Sequence, residues 1–149
     1  MADRSIVGDH SPTGPEERTL LFRAGEHVYG CEIGVVKEII PWRRPTRIPG
    51  SPEWVQGIIN LRGTILTVFD LGQRITPSQP QSRDGSIVMM EVGARCVGIA
   101  VDAVMDVRQL VPERADTQGA AGLVRGVGHL DETVVILIDV RALVSDVLL

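Results

Sequence analysis

Aromatic side chains are nearly missing from this 149-residue chain, where two Phe, one Tyr and two Trp amount to 3% of the residues. Platforms for stacking successive bases have few rings to draw on. Lysine is scarcer still, since Lys37 is the single one among 15 Lys and Arg. The formal net charge is −4 and the pI is near 5.3, which excludes a mainly electrostatic binder of nucleic acid or anionic membrane, because such a protein needs a basic face to displace counterions. There are 2 cysteines, Cys31 and Cys96, far apart, with no CxxC and no neighbouring histidine pair. Each reads as a small buried hydrophobe, and no metal or other cofactor is expected. No stretch approaches the roughly 20 apolar residues that span a bilayer. The opening MADRSIVGDHSPTGPEE also lacks the apolar centre of a signal peptide, so a cytoplasmic protein with no direct membrane insertion is expected.

Catalytic signatures are missing too. GxxxxGK[ST], GxGxxG after a strand, GxSxG and HExxH do not occur. His10, His27 and His129 have no Cys or acidic residue at a ligand-like spacing. The expectation is a protein with no catalytic residue and no enzymatic activity.

What the chain does contain is 44% hydrophobic residues, enough for an ordinary core. They are arranged as short strand-like runs rich in Val and Ile: LLFRAG, HVYGCEI, VVKEII, SIVMMEV, RCVGIAV, VMDVRQL and ETVVILIDV. Residues 1–18, with Pro12, Pro15, Gly8 and Gly14, read as a mobile tail. Arg74–Ser86 and Pro112–Gly122 read as turn-rich connections. Residues 55–71, VQGIINLRGTILTVFDL, read as strand, tight turn and strand, with the polar tip Asn60-Leu61-Arg62-Gly63 shown to a partner.

The halves repeat one another. Shifted by 69 positions, Gly57, Leu61, Ile65, Leu66, Val68, Asp70 and Leu71 fall on Gly126, Leu130, Val134, Val135, Leu137, Asp139 and Val140. Shifted by 68, Gly30, Ile33, Val36, Glu38 and Ile39 fall on Gly98, Val101, Val104, Asp106 and Val107. Each half supplies four or five short strands, enough to close a small barrel that hides its own edges, so a mostly β protein of two duplicated barrels is expected. Asp70 and Asp139 end equivalent strands and read as helix caps in preference to an acid–base pair. Val140, Leu143, Val144, Val147 and Leu148 have helical spacing on one face and predict a closing C-terminal helix.

Two features stand outside this scaffold. Glu38 and Arg62 lie among apolar strand residues with opposite charge, as an ion pair at a barrel rim or as two separately solvated groups. Trp42 and Trp54 flank PWRRPTRIPGSPEW, a stiff proline-rich crossing on which they read as plugs in preference to a nucleic-acid strip. The repeat also isolates the tip, where Asn60-Leu61-Arg62-Gly63 faces His129-Leu130-Asp131-Glu132 in the second copy.

Three segments, RIPGSPEWVQGIINLRGTILTVFDL, VGIAVDAVMDV and YGCEIGVVKEI, together resemble the CheW family of chemotaxis coupling proteins, a likeness that covers residues 19–149. The resemblance implies two SH3-like barrel lobes, about 19–75 and 86–149, with exchange of elements between them left open. It implies a non-catalytic adaptor joining the cytoplasmic tips of chemoreceptors (methyl-accepting chemotaxis proteins) to the regulatory domain of a CheA-type histidine kinase, recruited to membrane-associated receptor arrays. Partner contacts are implied for Val36, Glu38, Gly57, Arg62 and Gly63 in the first lobe and for Val97, Val104 and Val107 in the second. The alternatives are a coupling protein of a pilus-type chemosensory pathway, or a two-barrel module that binds peptide or nucleic acid.

Overall fold

A computed structural model of the chain describes residues 15–114 and 122–147. Among the described residues, ten strands and two short helices follow one another: β1 (Glu17–Ala24), β2 (His27–Glu32), β3 (Val36–Pro41), β4 (Val55–Leu61), β5 (Thr64–Asp70), α1 (Leu71–Ile75), β6 (Ser86–Val92), β7 (Arg95–Val101), β8 (Ala103–Leu110), β9 (Val124–Leu130), β10 (Thr133–Ile138) and α2 (Val140–Val147). The stretch read as tail thus gives its last two residues to β1. Its remainder through Gly14, with His10, lies outside the described residues, as do 115–121 of the second connection and Leu148 of the helical face.

The strands form two five-stranded sheets, ordered β8-β1-β2-β10-β9 and β3-β6-β7-β5-β4. The repeat is visible in the registers. Leu61 pairs with Thr64 and Val55 with Phe69, just as Leu130 pairs with Thr133 and Val124 with Ile138. Leu21 opposite Gly30 is matched by Met89 opposite Gly98. The copies trade partners, however: β3, β4 and β5 of the first copy join β6 and β7 of the second, while β8, β9 and β10 join β1 and β2. Chain crossings at Ile33–Val35, a 3-10 turn, and at Asp102 carry out the exchange.

The expected closure into barrels does not occur. Each sheet curls but stays open, with β3 and β4 as edges of one and β8 and β9 as edges of the other. Proline explains why, since Pro41 ends one edge strand and Pro45 follows it, Pro112 follows the other, and none can donate to a ladder. Where the edges would meet there is a single bridge in each sheet, Thr46 with Ile58 and Glu113 with Val127.

Alternation along the strands sends side chains into separate cores, which is why so many strands read as nearly continuous apolar runs. Leu20 and Phe22 of β1, Tyr29 of β2, Phe69 of β5, Val88 and Met90 of β6 and Ile99 of β7 meet in a core shared by the two sheets. Their neighbours Leu21 and, on the other sheet, Ile87 and Met89 fill the two curls. Leu143 and Val144 of α2 close the shared core. The expected cap is in place, with Asp139 Oδ1 accepting the Ala142 N–H at 3.1 Å. Cys31 is buried in the shared core, where desolvation pushes its thiol up to about 12. Cys96 is half-buried against Glu91.

Asp70 does more than cap α1. Its Oδ1 accepts the Gln73 N–H at 2.8 Å, and its Oδ2 accepts the Ser82 N–H at 2.5 Å. The Gln56 amide donates to the Ser82 carbonyl at 2.8 Å, so a carboxylate and an amide clamp one peptide unit of the connection before β6. Burial pushes the Asp70 carboxyl above its usual 3.8, and the N–H groups of Ser82 and Gln73 offset only part of that rise.

Two predictions follow from these contacts. Gly57, at φ +140°, lies where the β3–β4 connection crosses β4, and a Cβ there would sit 2.1 Å from the Thr46 carbonyl oxygen. Gly57→Ala is expected to destabilise the fold by about 2 kcal/mol or more, read from the urea midpoint at unchanged m-value. Asp70 binds its proton more tightly folded than unfolded, so its contribution to stability is fully present below pH 3.8 and is lost as pH rises through the raised native value. The stability of the wild-type protein relative to Asp70→Asn should therefore fall with rising pH across that window and then level off. Urea titrations at a series of acidic pH values check this, and a flat difference would refute it.

Candidate functional site

The turn joining β4 to β5 consists of Arg62 and Gly63, both with positive φ (51° and 91°), the geometry of a two-residue hairpin that follows the twist of its strands. Leu61 belongs to the strand and is buried inside the curl, so the exposed tip is shorter than the tetrapeptide suggests. Asn60 Oδ1 accepts the Gly63 N–H at 2.8 Å and fixes the turn. A non-glycine residue in the left-handed region costs about 1 kcal/mol, which Arg62 bears while its guanidinium reaches β3 and bonds the Glu38 carboxylate.

That bond bridges the two edges of the sheet where they approach one another, because β3 and the β4–β5 hairpin lie at opposite ends of the strand order. Arg43 assists, donating to the Asn60 carbonyl at 2.5 Å. With side-chain exposures of 68% and 33%, the Arg62–Glu38 pair contributes at most about 1 kcal/mol to stability. Its effect is on shape and charge at an open edge. The second copy has no such clasp: its equivalents are Asp106 and Asp131, both acidic, and Asp106 pairs instead with Arg108 on its own strand at 2.9 Å. Of the two readings open for Glu38 and Arg62, the ion pair is the one found.

Beside the tip, Arg43, Arg44, Thr46, Ile58, Asn60 and Ile65 line a shallow groove of about 380 Å³. Ile65 is 59% exposed, on the outer face of β5. The signal was available: period two groups Ile65 with Thr67, away from Leu66 and Val68. Val36, half-buried at the start of β3, packs on the margin of the shared core, as do Val104 and Val107 on β8. Gly57 is buried under the crossing connection. Val97 is at 0% exposure within the shared core and presents no surface to a partner. The structure therefore gathers Glu38, Arg62 and Gly63 at one edge and sets Val104 and Val107 on the other sheet.

A polar cleft of about 580 Å³ is lined by Trp42, Arg44, Arg47, Gln56 and Arg83 among others. Its groups largely serve the fold: Trp42 Nε1 donates to Gln56 Oε1 at 2.9 Å, and Arg47 donates to the carbonyls of Val55 and Ser51. Trp54 stands edge-on to Phe69, with the Arg74 guanidinium 5.0 Å from its ring centre. Both tryptophans thus act as plugs. Among the described residues, no group of three or more His, Cys, Asp or Glu could hold a metal ion, and no helix is long and apolar enough to cross a membrane.

Residues 18–148 match the family model of the CheW-like domain. The chemotaxis protein CheW of Klebsiella aerogenes is 35% identical over 153 aligned residues, covering 97% of this chain and 92% of the relative. A probable chemotaxis protein CheW of Rhizobium etli is 31% identical, covering 88% and 89%. Among solved structures, the scaffolding protein TtCheW of Thermoanaerobacter tengcongensis superposes with a TM-score of 0.73 at 32% identity, covering 85% of this chain and 90% of that one. The open, strand-exchanged sheets and these matches agree, and the chain belongs to the CheW family of chemotaxis coupling proteins, the adaptors of chemotaxis signalling arrays.

Proposed function

We propose that this adaptor joins the cytoplasmic tips of chemoreceptors to the regulatory domain of a CheA-type histidine kinase, at membrane-associated arrays in the cytoplasm and without catalysis of its own. The observation that carries this reading is the Arg62–Glu38 clasp, an exposed charge pair laid across an open sheet edge beside the groove of Ile58 and Ile65. A few oriented charges around apolar anchors make an interface that is specific yet reversible. Glu38, Arg62 and Gly63 form the exposed contact set, with Val36 beside them on β3. Gly57 acts from beneath by holding the crossing connection. Val104 and Val107 supply the apolar margin of the other sheet, and Val97 supports from inside the core.

The test is co-sedimentation with receptor cytoplasmic fragments and the cognate kinase. Arg62→Glu is expected to weaken ternary assembly by at least about tenfold while changing folding stability by less than about 1 kcal/mol. Combining it with Glu38→Arg should recover most of the loss, because the exchanged pair rebuilds the clasp. A double variant worse than either single change would show that the two residues touch partners independently. Failure of the wild-type protein to join either partner would sink the coupling reading.

A further inference from the structure

Both the proline-rich crossing and the connection before β6 line the polar cleft of about 580 Å³. The crossing supplies Arg44 and Arg47 and the connection supplies Arg83, so three guanidiniums share the cleft with one carboxylate, Glu53. That balance is opposite in sign to the whole chain, whose formal net charge is −4. Two of the three guanidiniums are held in place by the fold. Arg47 donates to the Val55 carbonyl at 2.7 Å and to the Ser51 carbonyl at 3.2 Å. Arg83 grips the Gln81 side-chain oxygen with Nε at 3.1 Å and a terminal nitrogen at 2.8 Å. Gln81 in turn donates to the Glu53 carbonyl at 2.9 Å and to Gln73 Oε1 at 3.2 Å. The backbone beneath is fixed as well, because Ser82, between Gln81 and Arg83, is the residue that Asp70 and Gln56 clamp.

All the acceptors of Arg47 and Arg83 just named are neutral oxygens, which orient a guanidinium without cancelling its charge. These bonds use two of the five N–H groups of each guanidinium. The amide oxygens of Gln56, Gln73 and Gln81 already accept from Trp42, Gln81 and Arg83, so what the cleft chiefly offers a guest is donors and positive charge. We propose that the cleft binds a small molecule that carries a phosphoryl group, with Arg44, Arg47 and Arg83 donating to the phosphoryl oxygens. Three acceptor oxygens and a double negative charge match several guanidinium forks better than one carboxylate does. The volume lies within the roughly 300–1,000 Å³ of small-ligand sites, which leaves room for an organic body attached to the phosphate. Guanidiniums fixed beforehand lose little freedom when the ligand arrives.

Two-dimensional NMR of the full-length chain at constant ionic strength tests this, with β-glycerophosphate, inorganic phosphate and a hexaglutamate peptide as probes. β-Glycerophosphate is expected to shift the Trp42 indole N–H and the backbone N–H groups of Gln81 and Arg83 until they saturate, with a Kd of about 1 mM or tighter. Arg44 also lines the groove beside Ile65, so Arg83, which does not, is the first residue to change. Arg83→Gln should raise the Kd by at least about tenfold, because a charge-assisted bond is lost. Arg95→Gln removes the same charge at the exposed start of β7, outside the cleft, and should leave the Kd unchanged. Arg44→Gln, on an exposed side chain, should weaken binding in the same direction and decides the matter if the Arg83 change disturbs the connection. Shifts that never saturate, or a Kd indifferent to both cleft variants, would overturn the proposal. Tighter binding of inorganic phosphate than of the ester would assign the cleft to the free ion, and tighter binding of hexaglutamate would assign it to an acidic protein segment; either result overturns the assignment to a phosphate ester.

Discussion

Each sheet is held together by one short parallel ladder between the two copies of the repeat: Thr67–Asp70 of β5 with Val97–Ala100 of β7, and Val135–Leu137 of β10 with Val28–Gly30 of β2. Parallel neighbours cannot be joined by a tight turn, so these ladders bring distant parts of the chain together and commit it to the exchange of strands. The central position of β7 and β2, the shared core behind them and the placing of both hairpins follow from that pairing. A half of the chain on its own has no partner for its second hairpin. The repeat is therefore a unit of sequence while the sheet is the unit of folding.

Stability is concentrated between the sheets and owes little to their exposed edges. Fully burying a side chain such as Phe22, Phe69 or Ile99 is worth about 1.5–3 kcal/mol, and many of them meet between the sheets. The exposed Arg62–Glu38 pair contributes at most about 1 kcal/mol, so its value lies in what it displays. Proline makes that display possible. By withholding donors where a barrel would close, the segments after β3 and β8 leave edges that side chains have to finish. On one sheet an ion pair finishes the edge, and on the other His129 reaches Glu113 at 3.2 Å.

Much of the fold was legible because the two shifts, 68 and 69, align glycines, aspartates and apolar positions that prove to hold equivalent places in the two sets of strand registers. The caps at Asp70 and Asp139 and the C-terminal helix followed from local spacing. Barrel closure was misjudged for a physical reason: Pro41, Pro45 and Pro112 are plain in the sequence, but which strand lies opposite them depends on the exchange. Period two marks a strand without saying which neighbour it takes. The same gap explains Val97, whose apolar character fits a surface anchor as well as a core whose other wall comes from β1 and β2. For Glu38 and Arg62 the opposite charges were legible, whereas their position across an open sheet required the topology.

The turn that presents Arg62 takes no part in either parallel ladder, and its equivalent in the other sheet carries Asp131 at nearly the same φ, 51° against 55°. Equivalent places in the two sheets thus carry a basic residue and an acidic one in the left-handed region, although only the first turn continues with a second positive-φ residue, Gly63. The sign of the charge at the apex is therefore decoupled from the parallel ladders that build the two sheets.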